Sequence, residues 1–273
     1  DEVELLKRLY QVIFDYQPDI ITGYFSDGFD LPYIKTRADK YQVKFDLGLD
    51  RSELKVKSRA GTRGSIVAIS GILHVDILTF IKYILGKNLK TDSYSLDSVA
   101  NELLGHKKHD VNLDELAHIW DNEPEKLEDF CEYNLHDAHL TLNLCTKLLP
   151  DVIEFTKIIG LPAFDVIRMS FSKLVENYIM KRAISFNVLA PNKPLSEEIN
   201  RRMDEQIQGA FVYEPTPGLY EDVIVFDFRS LYPTVITAHN IGPESFRCEC
   251  CENSKRVPER EDYWFCQKEK NFM

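Results

Sequence analysis

No apolar run in this 273-residue chain is long enough to cross a bilayer, and its start carries no leader pattern. No segment among these residues reads as a membrane-spanning helix, and the missing leader pattern says little about location. Asp1 stands where an initiating Met would, so the chain is read as beginning mid-protein. Internal repeats and low-complexity tracts are missing, which sets repeat arrays aside. Positive charge is in short supply: 33 Lys and Arg face 44 Asp and Glu, for a net charge of −11. That balance argues against a uniformly basic nucleic-acid binder and suits a protein that gathers carboxylates around metal ions. Cysteine is sparse until the end. Cys131 and Cys145 are isolated on expected helices and read as small core hydrophobes, whereas Cys248, Cys250, Cys251 and Cys266 cluster.

What is present is enough for a core. Hydrophobic residues make up 44% and aromatics 11%, so disorder is excluded and one domain plus part of a second fits the length. The pattern predicts a mixed α/β chain. Val3–Tyr16 has helical periodicity, 19–24 reads as a short buried strand, and Phe29–Tyr41 reads as a helix with Pro32 in its first turn. Residues 51–63 form a basic ribbon (Arg51, Lys55, Lys57, Arg59, Arg63). Glycines at 61, 64 and 71 flank 65–69 and 72–76, which together suggest a β-hairpin. Helices follow near 77–85, 95–104 and 125–148 and continue to about 186, with Ser95 at a helix entry. After the Asn- and Pro-rich stretch 187–194 and a short helix near 196–207, residues 209–213 and 222–227 read as strands. The division expected is 1–190 and 191–273.

The strongest chemical signal is Asp227-Phe-Arg-Ser-Leu-Tyr-Pro233, directly after the apolar run Val223–Phe226. A carboxylate at the end of a buried strand is rigidly placed to hold a hard divalent cation. Pro233 is suited to a helix start, so the turn 228–232 would present backbone N–H groups to a triphosphate. A lone aspartate there reads as an ordinary solvated strand end; the whole string does not. A second constellation pairs Tyr24-Phe-Ser-Asp-Gly-Phe-Asp30 with Tyr133-Asn-Leu-His-Asp137. Tyr133 and Asp137 lie at i and i+4 and project from one helix face. Asp30, brought in from a distant segment, can share metal ions with Asp137, and two such ions can activate water against a phosphodiester. Asp76, at the end of 72–76, reads as structural.

The string at 227–233, with Gly209–Pro215 before it and Thr237–Asn240 after it, resembles motif A of family B DNA polymerases. The resemblance implies that Asp227 binds catalytic metals with help from the Phe228 carbonyl. Tyr232 would lie under the incoming sugar, and main-chain groups of Ser230, Leu231 and Tyr232 would hold the triphosphate. The 24–30 and 133–137 segments resemble the second and third motifs of the family's 3′→5′ proofreading exonuclease. By that likeness Asp30 and Asp137 are metal ligands, Tyr133 orients the attacking water and Phe29 supports the DNA end. Tyr94–Gly105 and 72–76 also look like this domain. The implied architecture is a ribonuclease H-like exonuclease domain followed by the start of a polymerase palm. The implied cofactor is Mg²⁺, with Mn²⁺ able to substitute. The implied partners are primer-template DNA, deoxynucleoside triphosphates and a sliding clamp. The style of the sequence looks archaeal, which implies a cytoplasmic, nucleoid-associated protein.

Departures from the family pattern matter. Phe25 stands where the family has an Asn that contacts the DNA end, with Ser26 or Asp27 as partial substitutes. Gln208-Gly209-Ala210 resembles the template-binding linker, but Ile207 replaces its leading Tyr. The first exonuclease motif is expected upstream of Asp1 and the second polymerase aspartate beyond Met273, so the isolated chain is expected to be inactive. The basic ribbon and His106–His109 are candidate phosphate contacts. The terminal cysteines allow zinc, although adjacent Cys250 and Cys251 give poor ligand spacing, or free thiols. A cystine in some archaeal relatives adds a Cys251–Cys266 disulfide to these. The competing reading of the whole is an inactivated family B paralogue that serves as a DNA-binding or scaffold subunit.

Overall fold

Asp1 caps the first helix: its carboxylate accepts from the Glu4 backbone N–H at 2.8 Å and starts α1 (Glu2–Tyr16). In the computed structural model the described residues are 1–58, 64–86, 88–105, 116–190, 192–204, 209, 211–251, 256–258 and 260–268. They form two compact units, Asp1–Lys181 and Arg182–Met273.

In the first unit, strand β1 (Ile20–Gly23) leads through a tight loop into α2 (Asp30–Lys40). The basic ribbon is partly strand: β2 (Lys55–Ser58) pairs antiparallel with β3 (Ser65–Ala68), Lys55 opposite Ala68. β4 (Leu73–Asp76) does not fold back on β3 as a hairpin. A turn at Gly71, φ +79°, makes one antiparallel bridge between Ile69 and Ile72. The chain then pairs β4 parallel with β1, Ile20 opposite Leu73 and Gly23 opposite Asp76. Parallel strands need a crossover, and α2 with the β2–β3 ribbon supplies it. The pairing buries His74, Val75 and Asp76. β1 has one neighbour among the described residues and is half-buried, with Ile20 37% exposed, rather than fully buried as its apolar run suggests.

Asp76 ends β4 and caps α3 (Ile77–Phe80), which continues as a π-turn through Leu85. Ser95 caps α4 (Leu96–Leu104), which stops at left-handed Gly105. After α5 (Leu116–Asn122) comes α6 (Leu127–Ile159), longer than its periodicity suggests because it runs on through Pro150. Pro150 removes one backbone bond, yet Leu148, Val152 and Ile159 on either side are buried, and that packing holds the helix together. Short α7 (Ala163–Arg168) and α8 (Phe171–Ser185) follow. The main core gathers Val75, Phe80 and Ile81 against Val99, Leu144 and Ile167. Cys145 belongs to it, but Cys131 is exposed and is no core residue.

The second unit contains α9 (Ser196–Asp204), α10 (Leu231–His239) and a small antiparallel pair, β5 (Arg256–Val257) with β6 (Arg260–Trp264). The described residues of the expected strands, 209, 211–213 and 222–227, are not strand. A strand is stable only when its backbone groups pair across a ladder, and no described residue pairs with 223–226. Val225 and Phe226 are 87% and 88% exposed. Among the described residues no helix is long and apolar enough to cross a membrane.

One polar cluster ties the first unit together. Asp27 is buried and accepts from Arg168 Nε at 2.8 Å and Nη2 at 3.2 Å, and from the Val67 backbone N–H at 2.7 Å. His74 Nδ1 donates to the Val67 carbonyl at 3.0 Å, while Ser26 Oγ meets Nε2 at 2.8 Å. Burial alone would raise the Asp27 carboxyl, but bonds from His74 and Arg168 overcome this and hold it below its ordinary 3.8. Asp27→Asn leaves Arg168 buried without a counter-charge and is expected to cost about 3–5 kcal/mol in urea unfolding. The depressed carboxyl gives stability that is present above 3.8 and lost as pH falls further, so wild type should lose its advantage over Asp27→Asn in acid. An unchanged difference across that range would contradict the ion-pair account.

Candidate functional site

The loop between β1 and α2 places the first expected carboxylate. Phe25 takes a left-handed backbone, φ +67°, and its carbonyl accepts from both Gly28 and Phe29 N–H groups. A Cβ on Gly28 would lie 2.2 Å from the Phe25 ring, so any larger residue there requires that exposed ring to move. Phe29 is the N-cap position of α2 and stacks on Tyr33 with ring centroids 5.6 Å apart. Asp30 is the first helical residue, exposed at the helix start. Desolvation by the surrounding protein pushes its carboxyl above the ordinary value, and the nearby Asp76 charge adds to this.

Asp76 is itself engaged at both oxygens: Oδ1 accepts from Thr79 N–H at 2.9 Å and Oδ2 from Asp27 N–H at 2.8 Å. It caps a helix and pins the loop, in line with its structural reading. Tyr24, whose hydroxyl donates to the Tyr94 carbonyl at 2.8 Å, is likewise pushed up, by burial first and by Asp76 second.

Asp137 sits on α6, half-buried, with the Tyr133 hydroxyl bonded to it one turn away. Its pKa is raised by desolvation and by Asp97 on α4, against the lowering effect of the Tyr133 bond. Its Oδ1 is buried and has no hydrogen-bond donor among the described residues. A buried carboxylate oxygen without a donor fits a cation, so this position meets the demand of a metal ligand. Asp30 and Asp137 are not joined by a contact among the described residues; the charge each feels is a different one, Asp76 and Asp97.

Ser26 and Asp27 are not free to stand in for an Asn at position 25. Both are buried, 5% and 3% exposed, and both are consumed by the His74–Arg168 cluster. Sequence reasoning missed that cluster because Arg168 lies 141 residues from Asp27 and no local pattern couples them. His106–His109, Arg59, Arg63, Ile207, Gln208 and Ala210 lie outside the described residues. Lys55 and Lys57 on β2 are exposed; Arg51 lies over the Phe14 ring at 4.1 Å.

In the second unit Asp227, Phe228 and Tyr232 are exposed and Leu231 is 47% exposed. Ser230 is the N-cap of α10 in a left-handed conformation and makes no side-chain cap bond. Helix N–H groups left uncapped are suited to an anion. α10 begins at Leu231, so Pro233 is its third residue rather than its start, and Leu231 and Tyr232 belong to the helix rather than to the expected turn. A Cβ on Gly209 would meet nothing within 4 Å, so no contact among the described atoms demands glycine there. The four late cysteines converge: Cys250 Sγ lies 3.6 Å from both Cys251 and Cys266 Sγ, and Cys251 lies 3.9 Å from Cys266.

A model of the DNA polymerase family B exonuclease domain matches residues 1–99, and a model of DNA polymerase family B matches residues 161–273. The chain is 36% identical over 272 residues to a DNA polymerase of Pyrococcus horikoshii, which aligns with 100% of this chain and 21% of that protein. It is 35% identical over 258 residues to DNA polymerase 1 of Pyrococcus abyssi, covering 94% of this chain and 33% of that one. A solved family B DNA polymerase from the hyperthermophilic archaeon Pyrobaculum calidifontis superposes with a TM-score of 0.72 at 27% identity, over 98% of this chain and 34% of that one. The chain thus spans only 21% and 33% of the length of these two curated relatives.

The left-handed backbone at Phe25 is costly for a bulky side chain and cheap for Asn or Gly. Phe25→Asn is expected to raise unfolding stability by about 1 kcal/mol, because it relieves that conformation and uncovers Gly28 without touching the Asp27 bonds. A lower midpoint in denaturant would show that the Phe25 ring contributes more than its backbone costs.

Proposed function

We propose, from the premise that the chain belongs to the family B DNA polymerases, that it carries residues of two phosphoryl-transfer sites, one for editing and one for synthesis. Its mixed α/β first unit fits a ribonuclease H-like exonuclease, assigned to 1–190; residues 191–273 are assigned to the linker and the start of the palm. The intact protein would be a DNA-directed DNA polymerase with 3′→5′ exonuclease. Its substrates would be primer-template DNA and deoxynucleoside triphosphates, and its further partner a sliding clamp. In an archaeal cell it would work in the cytoplasm at the nucleoid. Family B polymerase and exonuclease domains use divalent metals, and Mg²⁺, replaceable by Mn²⁺, suits oxygen-only ligands.

In the editing site Asp30 and Asp137 would hold the cation, and the Asp137 oxygen that lacks a donor is the observation that favours it. The Tyr133 hydroxyl, bonded to Asp137, would orient a water beside that carboxylate. Phe29, exposed and stacked on Tyr33, offers an apolar face to a terminal base. In the synthesis site Asp227 and the Phe228 carbonyl would hold metal, Tyr232 would meet the sugar, and the N–H groups from Ser230 onward would hold the triphosphate. Gly209, and Ala210 beside it, would let template DNA approach the backbone. The bound ions supply charge neutralisation and a water of lowered pKa.

The seven-residue string at 227–233, leading into a helix without a side-chain cap, carries the synthesis reading. In the full-length protein Asp227→Ala is expected to lower primer extension by about 10³-fold or more while DNA binding persists. Extension at the wild-type rate would sink the assignment, and no extension by the wild type itself would favour the scaffold reading.

A raised carboxyl makes a second test. Between its ordinary 3.8 and its folded value, Asp137 binds more protons folded than unfolded, so it costs stability increasingly as pH rises through that window. Without divalent ions, Asp137→Asn should therefore melt higher than wild type at neutral pH and lose that gain toward 3.8. Added Mg²⁺ should raise the melting temperature of wild type and not of Asp137→Asn. Equal Mg²⁺ responses would remove Asp137 from the ligand set.

A further inference from the structure

The late cysteines form a site that neither phosphoryl-transfer reading uses. Their sequence spacing argues against a metal, because neighbouring residues usually point apart. The backbone resolves the objection: a 3₁₀ turn at Glu249–Cys251 carries Cys250 and Cys251 around to the side where Cys248 already faces Cys266. All four sulfurs lie within 4.8 Å of one another. Three of the separations are 3.6, 3.6 and 3.9 Å. A tetrahedral ion with Zn–S bonds of about 2.3 Å sets its sulfurs about 3.8 Å apart. A disulfide would single out one pair at about 2.05 Å and leave the other two sulfurs without a shared centre. Here no pair is singled out, and the sulfurs surround a point.

We propose that Cys248, Cys250, Cys251 and Cys266 bind one zinc ion as a structural tetrathiolate site. Four thiolates with tetrahedral spacing and no open ligand position are the donor set of a closed structural centre. Burial is graded as such a centre needs: Cys251 and Cys266 are 8% and 2% exposed, while Cys250 is open to solvent and gives the ion an entry path.

The surroundings hold the ligands in place. The Trp264 indole N–H donates to the Cys248 carbonyl at 3.0 Å, and Cys266 N–H donates to Ser245 at 2.7 Å. Asn240, which ends α10 in a left-handed conformation, donates from Nδ2 to the Cys266 carbonyl at 2.8 Å. The ion would therefore clamp the Cys248–Cys251 loop and β6 to the C-terminal end of α10. The opposite end of that helix carries Leu231 and Tyr232, a few residues after Asp227. The proposal does not depend on the role assigned to Asp227.

The test is metal analysis of the full-length protein, purified without chelator, beside Cys250→Ser and Cys251→Ser. Wild type is expected to hold one more zinc than either variant, and its cobalt-substituted form to show the strong visible absorption of tetrahedral cobalt–thiolate that both variants lack. Cys250 is exposed, so Cys250→Ser should keep the native circular dichroism and separate loss of metal from loss of fold. A lower melting temperature on chelation in wild type, absent in Cys250→Ser, completes the expected result. Equal zinc in wild type and variants overturns the proposal, whether the cysteines prove to be oxidised or free. Iron in place of zinc overturns it as well.

Discussion

The contact between Asp27 and Arg168 is the constraint on which the first unit depends. Two charges removed from water are costly, and their attraction offsets that cost only with good geometry and every remaining donor and acceptor satisfied. Here the conditions are met by parts brought from four places in the chain: the loop after β1, the β3 backbone at Val67, His74 on β4, and Arg168 at the end of α7. Arg168 also donates to the His74 and Phe164 carbonyls and lies over the Phe164 ring at 3.9 Å. Moving any one of these segments would strand a buried charge. The loop that precedes α2 is therefore held as firmly as the core, and the exposed Asp30 inherits a rigid base.

That dependence explains what could be read from the sequence. α1, α2 and α4 are legible because their determinants are local: apolar spacing of 3.6, a capping Asp1 or Ser95, a left-handed Gly105 at the end. The β3–β4 hairpin is misread because turn signals at 69–72 are real but weaker than the long-range attraction of β4 to β1, which buries His74 and Asp76. Residues 222–227 look like a strand by composition, yet a strand exists only with a partner, and composition says nothing about partners. The same limit applies at the cysteines, where spacing disfavours a common centre and the 3₁₀ turn creates one. Local chemistry is visible in a sequence; pairing across a hundred residues is not.

The two candidate sites differ in how they are prepared. In the first unit the carboxylates are backed by buried structure, and both Asp30 and Asp137 are pushed toward their protonated forms by desolvation. Each also feels a neighbouring carboxylate, Asp76 and Asp97 respectively, and a nearby cation would favour its ionised form. In the second unit Asp227 stands exposed, and the order around it comes from α10 and from the cysteine hairpin tied to its end.

Asp76 shows how the protein adds field without adding a ligand. Each of its oxygens already accepts a backbone N–H, whereas Asp137 Oδ1 is buried without a donor among the described residues. Its charge still acts on Asp30 and on Tyr24, raising both. Were Asp30 to ligate a divalent cation, this fixed anion behind it would deepen the attraction without coordinating the ion itself. The chain's net charge of −11 has the same logic. An acidic protein can act on DNA where cations bridge its carboxylates to phosphate, and the like charges that such a cation would offset here are Asp76 beside Asp30 and Asp97 beside Asp137.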